Sequence, residues 1–380
     1  LGTQLAVMTA RLHNKGITHI DFHPGNLLVR FDENGSPSLV MIDLDALRKA
    51  RRLSWRKARK NLALLDHFFW IRVAGSDRYR FVRTYLKHRE GRTPDHRRFA
   101  TQIEATTRLW AERLWRRWGE RCRSTNKYFQ IVEGERCWGV ASRDLDPSEM
   151  TRLLEDPDAP IDRGGGKLIK SSNTTVVAET VMIVRGVPTS VIYKRFNRKK
   201  WTDPLLTLFR PSRAWRSWQA AQHLASRGLP TPQNLAFIAR RRTWRESPLF
   251  FLLPHETYLV TIKQENSITL SDLSRKVIPT LSAESRRKLI CRIVLGLASL
   301  IRVLHERSLS DRDLKASNIL VDLDRLEDAI SLSLIDLVGV TLKFPLPTNR
   351  KIQSLARLNL SLSGIDGRTR TDALRFLRAY

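Results

Sequence analysis

The sequence repeats itself at a spacing of 292 to 295 residues, and this duplication constrains the fold more than any other feature. The matched segments are 12–29 with 304–321, 41–44 with 334–337, and 80–85 with 375–380. Chance could supply one such match. Three matches in the same order and nearly the same register indicate two copies of one fold.

The repeat also predicts the domain boundaries. One copy is about 292 residues long, so the 380-residue chain is expected to hold the back half of a first copy and most of a second, cut at both ends. We expect residues 1–120 to be the C-terminal half of the first copy, whose N-terminal half is missing from the chain. Residues 121–262 and 263–380 are then the N- and C-terminal halves of the second copy.

The composition narrows the class of protein. The chain carries 67 Lys and Arg against 38 Asp and Glu, a net charge of +29, which favours anionic partners such as nucleic acid, anionic lipids or phosphorylated sugars. A hydrophobic content of 42% is typical of a globular protein. Three scattered cysteines fit neither a disulfide framework nor a Cys-rich zinc site. The low cysteine count favours a reducing compartment, so we expect a cytoplasmic protein. No apolar run is long enough to span a membrane, and no signal peptide is visible.

A pair of polar motifs indicates the chemistry. In each copy an Asp precedes an Asn by five residues, and an Ile-Asp pair follows after an apolar, strand-like run. The residues are Asp21, Asn26 and Asp43 in the first copy, and Asp313, Asn318 and Asp336 in the second. A single motif of this kind usually marks a turn. The duplicated set resembles the catalytic loop and the metal-binding segment of the protein-kinase superfamily.

The resemblance to kinases implies a role for each residue. Phosphoryl transfer depends on positioning and charge neutralisation, so Asp21 and Asp313 would accept the proton of the acceptor hydroxyl. Lys315 follows Asp313 by two residues, as in Ser/Thr protein kinases, whereas the first copy has His23 there, as in small-molecule kinases. The expected ligands of Mg²⁺ are Asn26, Asp43, Asn318 and Asp336.

The front half of a kinase can be traced before the second motif. Thr174–Val184 and Thr189–Phe196 alternate apolar and polar residues, which predicts two strands joined by a turn. The second strand contains Lys194 in a Val-Ile-Tyr-Lys sequence similar to the strand whose Lys binds the nucleotide phosphates. A surface lysine is the alternative interpretation. Residues 213–227 then predict a helix that ends at Gly228.

The remaining elements follow in the order of a kinase. Leu249–Leu253 and Tyr258–Ile262 are predicted strands, and Thr261–Gln264 is the expected hinge between two lobes. The nucleotide contacts expected at the hinge are Thr261, Ile262 and Lys263. Apolar residues at helical spacing predict a long helix over Arg286–Arg307, directly before the catalytic loop.

Taken together, the chain resembles the lipopolysaccharide kinase family of the Kdo/WaaP type. The likeness rests on Asp-Phe-His-Pro-Gly-Asn-Leu-Leu-Val at 21–29, Ile-Asp-Leu-Asp at 42–45, Arg-Gly-Leu-Pro-Thr-Pro at 227–232 and the Arg-Phe-x-Arg-x-Tyr segments. It implies an α+β, kinase-like, two-lobed fold, with an antiparallel sheet in the N-lobe and a mainly helical C-lobe, as one partial plus one nearly complete copy. It also implies ATP, Mg²⁺ and phosphoryl transfer to a sugar hydroxyl of an anionic lipid-linked glycan or phosphosugar, at the cytoplasmic face of the inner membrane.

The second copy departs from the kinase pattern in three ways. No G-x-G-x-x-G sequence precedes Lys194, and residues 171–174 occupy the place of the phosphate-covering turn. The helix at 213–227 has no Glu to pair with Lys194, only Gln residues. Asp311 replaces the histidine of the catalytic loop, which the first copy keeps as His19. A non-catalytic second copy is therefore an open alternative.

Two basic segments suggest contact with anionic surfaces. Arg48–Lys60 holds eight basic residues and no acid, directly after the first metal motif. It is expected to bind phosphate groups on the acceptor, with a solvated helix face as the alternative. Arg108–Arg121 interleaves tryptophans with arginines, as suits peripheral contact with an anionic membrane. The alternative is a final helix that packs its Trp face on the larger lobe of the first copy.

Four functions compete on this evidence. A kinase acting on a sugar hydroxyl explains the motifs and the family resemblance. A Ser/Thr protein kinase would use the same residues, and a non-catalytic kinase-like scaffold would explain the departures. A nucleic-acid-binding protein would explain only the charge, and nucleic acid is not expected as a partner.

Overall fold

The computed structural model describes residues 1–162, 166–197, 211–240, 256–326, 330–365 and 367–380. Its contacts divide the chain into two compact units, Leu1–Leu114 and Trp115–Tyr380. Across the described residues, none of the helices combines the length and apolar character that crossing a bilayer requires.

The first unit is mainly helical. Its elements are α1 (Gly2–Asn14), β1 (Ile17–His19), β2 (Leu27–Phe31), β3 (Pro37–Met41), β4 (Leu47–Lys49), α2 (Trp55–Trp70), α3 (Gly75–Lys87) and the first part of α4 (His96–Glu120). Strands β1 and β4 pair antiparallel, as do β2 and β3. The helices bury a shared core that includes Ala6, Leu62, Tyr85 and Phe99, because apolar side chains recur on one face of each helix.

The second unit begins with a seven-stranded antiparallel sheet. Its strands are β5 (Phe129–Glu133), β6 (Cys137–Ser142), β7 (Lys167–Ser172), β8 (Thr175–Val184), β9 (Val187–Phe196), β10 (Asn234–Arg240) and β11 (Thr257–Ile262). Their spatial order is β5-β6-β10-β11-β9-β8-β7. Arg185 and Gly186 join β8 to β9 with φ of 52° and 76°, the positive values that a two-residue hairpin turn requires. Helices α5 (Pro147–Glu155) and α6 (Arg213–Ser226) and a short helical turn at Ala159–Asp162 accompany the sheet.

The rest of the second unit is mainly helical. It contains β12 (Ser267–Thr269), α7 (Ala283–Glu306), β13 (Leu309–Asp311), β14 (Ile319–Asp322), β15 (Leu332–Leu334), β16 (Val340–Leu342), α8 (Thr348–Leu362) and α9 (Arg370–Ala379). A π-helical turn at Leu273–Val277 follows the short helix Leu270–Asp272. Leu297, Ile301 and Leu304 of α7 are fully buried in the largest apolar core of the described residues.

The predicted α+β class is confirmed, with an antiparallel sheet followed by a mainly helical part. The predicted strand at Leu249–Leu253 lies outside the described residues. The hairpin of β5 and β6, which extends the sheet beyond β10, is a feature that sequence patterns did not predict. Its two strands are short, and a Gly-containing turn separates them, so the period-two pattern is weak. The division into residues 1–120, 121–262 and 263–380 stays a prediction.

Candidate active site

The loop after β13 carries the first predicted residues of the second unit. Asn318 is buried and donates its side-chain NH₂ to the backbone oxygen of Asp313 at 3.0 Å. Lys315 Nζ lies 3.1 Å from Asp313 Oδ2, and both side chains are close to half exposed. The five-residue spacing therefore forms a closed turn that holds Asn318 while leaving the Asp313 carboxylate accessible.

Asp336 lies at the end of the β14–β15 hairpin. Its backbone is left-handed, with φ of 55°, and a 3-10 turn over Leu337–Gly339 follows. The backbone N–H of Ile335 donates to the carbonyl of Asn318 at 2.9 Å. This bond ties the two predicted metal ligands to neighbouring backbone positions.

Lys194 reaches Asp336 from the sheet. Its Nζ is 2.9 Å from Asp336 Oδ1, with side-chain exposures of 21% and 38%. Lys194 Nζ also lies 5.0 Å from the centre of the Phe196 ring. Helix α6 contains no acidic residue, so Asp336 takes the place of the helix Glu that usually pairs with such a lysine. The Val-Ile-Tyr-Lys strand and the Ile-Asp pair of the second copy, which are far apart in the sequence, thus lie in contact.

Asp311 has a role that sequence reasoning did not assign. It is 1% exposed, and its Oδ1 accepts the backbone N–H of Asp313 at 2.9 Å. Burial raises the pKa of Asp311 to about 6, and the charges of Asp313 and Asp336 act in the same direction. In the first unit, His19 Nδ1 accepts the N–H of Asp21 at 3.2 Å. The alignment of these two positions in the repeat was the signal that could have revealed the shared role.

The predicted hinge residues lie at the end of β11, with Thr261 and Ile262 in the strand and Lys263 directly after it. Ile262 donates its N–H to the carbonyl of Gln233 at 2.9 Å, and Lys263 donates its N–H to Ser190 at 3.0 Å. The backbone N–H groups of Ile262 and Lys263 can therefore donate to a nucleotide base only if these two hydrogen bonds break. Thr261 Oγ1 donates to the Ile192 carbonyl at 3.4 Å.

The side chain of Lys263 points to carboxylates of its own unit. Its Nζ lies 2.6 Å from Glu179 and 3.3 Å from Glu265. The hydrogen bond to Glu179 and then that to Glu265 raise the pKa of Lys263. Any nucleotide contact made by this ammonium group would compete with these two partners.

The hairpin between β7 and β8 occupies the place of the missing Gly-rich loop. Ser172 Oγ closes its turn with bonds to the backbone of Thr175. From the start of α6, Arg213 donates to the carbonyls of Thr174 at 2.9 Å and Asn197 at 2.7 Å. Arg213, which the sequence analysis did not single out, therefore holds the tip of this hairpin.

The first unit repeats the loop geometry of the second. Asn26 donates its NH₂ to the carbonyl of Asp21 at 2.9 Å, and Asp43 has φ of 57°. His23 Nε2 lies 3.3 Å from Asp21 Oδ2. Asp21 is exposed. Residues 1–114 hold no counterpart of the seven-stranded sheet, only the small ladders of β1–β4 and β2–β3.

The two basic segments differ in exposure. Arg51, Arg52, Arg56 and Lys57 are exposed around the start of α2. In the Arg108–Arg121 segment, Trp115 is 3% exposed, and the Arg227 guanidinium lies 5.2 Å from its ring. Trp110, by contrast, is 41% exposed. Trp115 thus belongs to the core of the second unit.

Comparison with known proteins matches this chain to a protein family. The family model for the lipopolysaccharide kinase (Kdo/WaaP) family matches residues 2–85 and 167–380. A search of curated proteins finds no match. Among solved structures, WaaP in complex with acyl carrier protein has 22% identity and a TM-score of 0.44, covering 62% of this chain and 86% of that one. The BubR1 kinase domain has 12% identity and a TM-score of 0.29, covering 58% of this chain and 52% of that one.

The family model covers most of the sequence, including both polar motifs. The chain therefore belongs to the lipopolysaccharide kinase (Kdo/WaaP) family, whose members are kinases.

Proposed function

We propose that the second unit is a Mg²⁺- and ATP-dependent kinase that phosphorylates a sugar hydroxyl of a lipopolysaccharide-like or other anionic lipid-linked glycan. The observation that carries the proposal is the 2.9 Å contact between Lys194 and Asp336. It joins a sheet lysine to a carboxylate 142 residues later in the chain. Phosphoryl transfer requires a cation that binds the nucleotide phosphates close to a carboxylate that binds the metal ion.

The side chains present fit a magnesium–nucleotide complex. Mg²⁺ prefers hard oxygen ligands and is usually held by one or two carboxylates together with substrate phosphates. Asp336 offers a carboxylate. Asn318 turns its NH₂ toward the backbone, which leaves its amide oxygen as the ligand atom. We therefore assign Asn318 and Asp336 to the metal, and Lys194 to the phosphates. The hinge residues Thr261, Ile262 and Lys263 remain the proposed boundary of the base site.

The chain's own groups account for the acceptor side. When bound, Mg–ATP supplies the phosphoryl group and neutralises the charge that develops on it. Asp313 accepts the proton of the acceptor hydroxyl, and Lys315 places a positive charge 3.1 Å from that carboxylate. Asp311 fixes the loop by accepting the Asp313 N–H.

We also propose that the first unit is the back half of an earlier copy of the same fold, with Asp21 at the position of the catalytic residue and Asn26 and Asp43 at the positions of the metal ligands. A contact between a buried histidine and a tyrosine, found in both units, supports the duplication. His13 Nδ1 lies 2.8 Å from the Tyr85 hydroxyl, and His305 Nδ1 lies 2.7 Å from that of Tyr380. Both histidines have their pKa lowered to about 4, mainly by burial.

The charge of the chain supports an anionic acceptor at a membrane surface. A net charge of +29 attracts phosphorylated glycans and anionic head groups. We propose a cytoplasmic protein with peripheral contact at the cytoplasmic face of the inner membrane, in which the exposed Trp110 contributes. Flotation with liposomes of defined anionic lipid content tests this contact.

The second candidate function is a Ser/Thr protein kinase. The specific observation is the Lys315–Asp313 contact, since a Lys at this position is the pattern of that class. The acceptor separates the two functions. Transfer from labelled ATP should be measured to lipopolysaccharide and to a mixture of protein substrates, with Asp313→Asn as the inactive control. Label on the glycan supports the first proposal, and label on protein alone supports the second. No transfer by a folded protein would indicate a non-catalytic scaffold.

A further inference from the structure

A cavity in the described part of the second unit lies outside the predicted nucleotide and acceptor residues. Its volume is about 310 Å³. It is bounded by the end of α4, the start of β5, the end of β6, the last turns of α6 and the start of β10. None of its lining residues belongs to the catalytic loop, the metal ligands or the hinge.

A buried polar group without a partner lines this cavity. Asn234 is 3% exposed, yet its side-chain Nδ2 has no hydrogen-bond acceptor among the described residues. A buried amide donor that is left unpaired has lost its hydrogen bonds to water without gaining others, which is unfavourable. Such an atom is therefore satisfied when a ligand with an acceptor oxygen enters the cavity.

The same cavity carries an excess of positive charge. Arg121, Lys127 and Arg143 line it, and within the described ranges none of the three forms an ion pair with a carboxylate. The one acidic lining residue, Asp144, is bound by Arg185 at 2.9 Å. Arg143 Nε donates to the Asn126 carbonyl at 2.7 Å, which leaves the rest of its guanidinium group for a ligand. Cations without a carboxylate partner, beside an unpaired amide donor, favour an anionic ligand with several acceptor oxygens, as in a phosphate group.

Aromatic rings stand beside these cations. The Arg121 guanidinium lies 5.8 Å from the centre of the Trp118 ring and 5.3 Å from that of Tyr128. Lys127 Nζ lies 5.0 Å from the Tyr128 ring. Such rings offer flat apolar faces against which the C–H faces of a sugar ring can pack. Gln222, also in the lining, offers a donor and an acceptor to hydroxyl groups. Gln233 Nε2 donates to Asp144 Oδ2 at 2.6 Å, so Gln233 offers its amide oxygen as an acceptor.

From these contacts we infer that the cavity is a binding site for a phosphorylated sugar, separate from the nucleotide site. The phosphate lies against Arg121, Lys127 and Arg143, and an acceptor oxygen of the ligand receives the Asn234 NH₂. Asn234 begins β10, and its register partner on β11 is Thr261. A ligand in this cavity therefore contacts β10, the strand paired with β11, at whose end the predicted hinge lies. It also contacts α6 through Gln222, and α6 holds the β7–β8 turn through Arg213. The inference does not depend on the acceptor proposed above.

Calorimetry on the full chain tests the site with glucose 6-phosphate, glucose and inorganic phosphate as probes. Glucose 6-phosphate should bind measurably, free glucose should not, and inorganic phosphate should bind at least 10-fold more weakly. Saturating Mg–ATP should leave glucose 6-phosphate binding intact. Arg143→Gln and Arg121→Gln, at partly or fully exposed positions, should each weaken binding about 10-fold without unfolding the protein. Asn234→Asp should weaken it at least as much.

Arg117→Gln is the matched control, because Arg117 is exposed on α4 and is not among the lining residues. The affinity of this variant for glucose 6-phosphate should equal that of the unchanged chain. No binding of glucose 6-phosphate, equal binding of inorganic phosphate, displacement by Mg–ATP, or equal weakening in Arg117→Gln would each overturn the inference.

Discussion

Lys194 Nζ lies 2.9 Å from Asp336 Oδ1, so the sheet lysine is paired with the proposed metal ligand rather than with a helix carboxylate. Helix α6 offers it no Asp or Glu. The cation proposed for the phosphates and the carboxylate proposed for the metal thus share one contact. Binding of a nucleotide with its metal ion must redistribute these two charges.

Replacing Lys194 tests this arrangement. Lys194→Met should weaken ATP binding at least 10-fold and abolish phosphoryl transfer. It should change the free energy of unfolding by no more than about 1 kcal/mol, because partly exposed ion pairs contribute little to stability. Lys170→Met, at an exposed position on β7, is the control and should behave like the unchanged chain. Loss of ATP binding in both variants, or a large stability loss in Lys194→Met, would assign Lys194 a structural role.

The buried Asp311 carboxyl predicts a pH dependence of stability. Its pKa is raised from an ordinary 3.8 to about 6, chiefly by burial. Since the folded form holds the proton more tightly than the unfolded form, this group stabilises the fold below about pH 4. That contribution is lost as the pH rises through 6, by at most about 3 kcal/mol. Asp311→Asn removes the titration, so its stability relative to the unchanged chain should increase between pH 4 and 7. Urea unfolding across this range measures the difference, and a constant difference would contradict the prediction.

Gly339 predicts a steric effect on the catalytic loop. A Cβ atom there would lie 2.3 Å from Asp311 Oδ1 and 3.0 Å from Asp313 N, so the loop must shift. Gly339→Ala should lower kcat at least 10-fold and destabilise the fold by about 1–3 kcal/mol. Gly296→Ala, in the interior of α7, is the control. Its Cβ would have ordinary contacts with Leu332 at 3.4 Å, and it should be neutral or stabilising by up to about 1 kcal/mol.

Much of this site was predictable where a residue type and a local pattern coincide. The alternation of Thr174–Val184 and the periodicity of Arg286–Arg307 predicted β8 (Thr175–Val184) and α7 (Ala283–Glu306) to within a few residues. The duplicated Asp and Asn residues predicted the position of the loop after β1 and of the loop after β13.

The partners of the charged side chains were not predictable. No local pattern shows that Lys194 contacts Asp336 rather than a glutamine of α6, because the contact spans 142 residues. Arg213 acts through backbone carbonyls, which carry no sequence signal. The cavity beside Asn234 likewise depends on five separate elements meeting in space.

The basic segment at the start of α2 predicts acceptor recognition. Exposed Arg51, Arg52, Arg56 and Lys57 should attract phosphate groups on the acceptor. Replacing all four by Gln should weaken binding of the acceptor glycan to the chain at least 5-fold, as measured by calorimetry, and leave ATP affinity unchanged. The charge-matched control replaces four exposed basic residues elsewhere in the first unit, namely Arg83, Lys87, Arg92 and Arg98. Equal effects of the two sets on glycan binding would indicate general attraction by the net charge.

Calorimetric titration of the full chain with ATP, with and without Mg²⁺, tests the central claim most directly. The second unit should bind ATP only weakly without Mg²⁺ and at least 10-fold more tightly with it. Asp336→Asn should abolish the Mg²⁺-dependent gain, whereas Asp43→Asn, at the equivalent position of the first unit, should leave it intact. Folding of each variant is checked by circular dichroism. If the folded chain bound no ATP, or if Asp336→Asn bound Mg–ATP as tightly as the unchanged chain, the proposed active site would be contradicted.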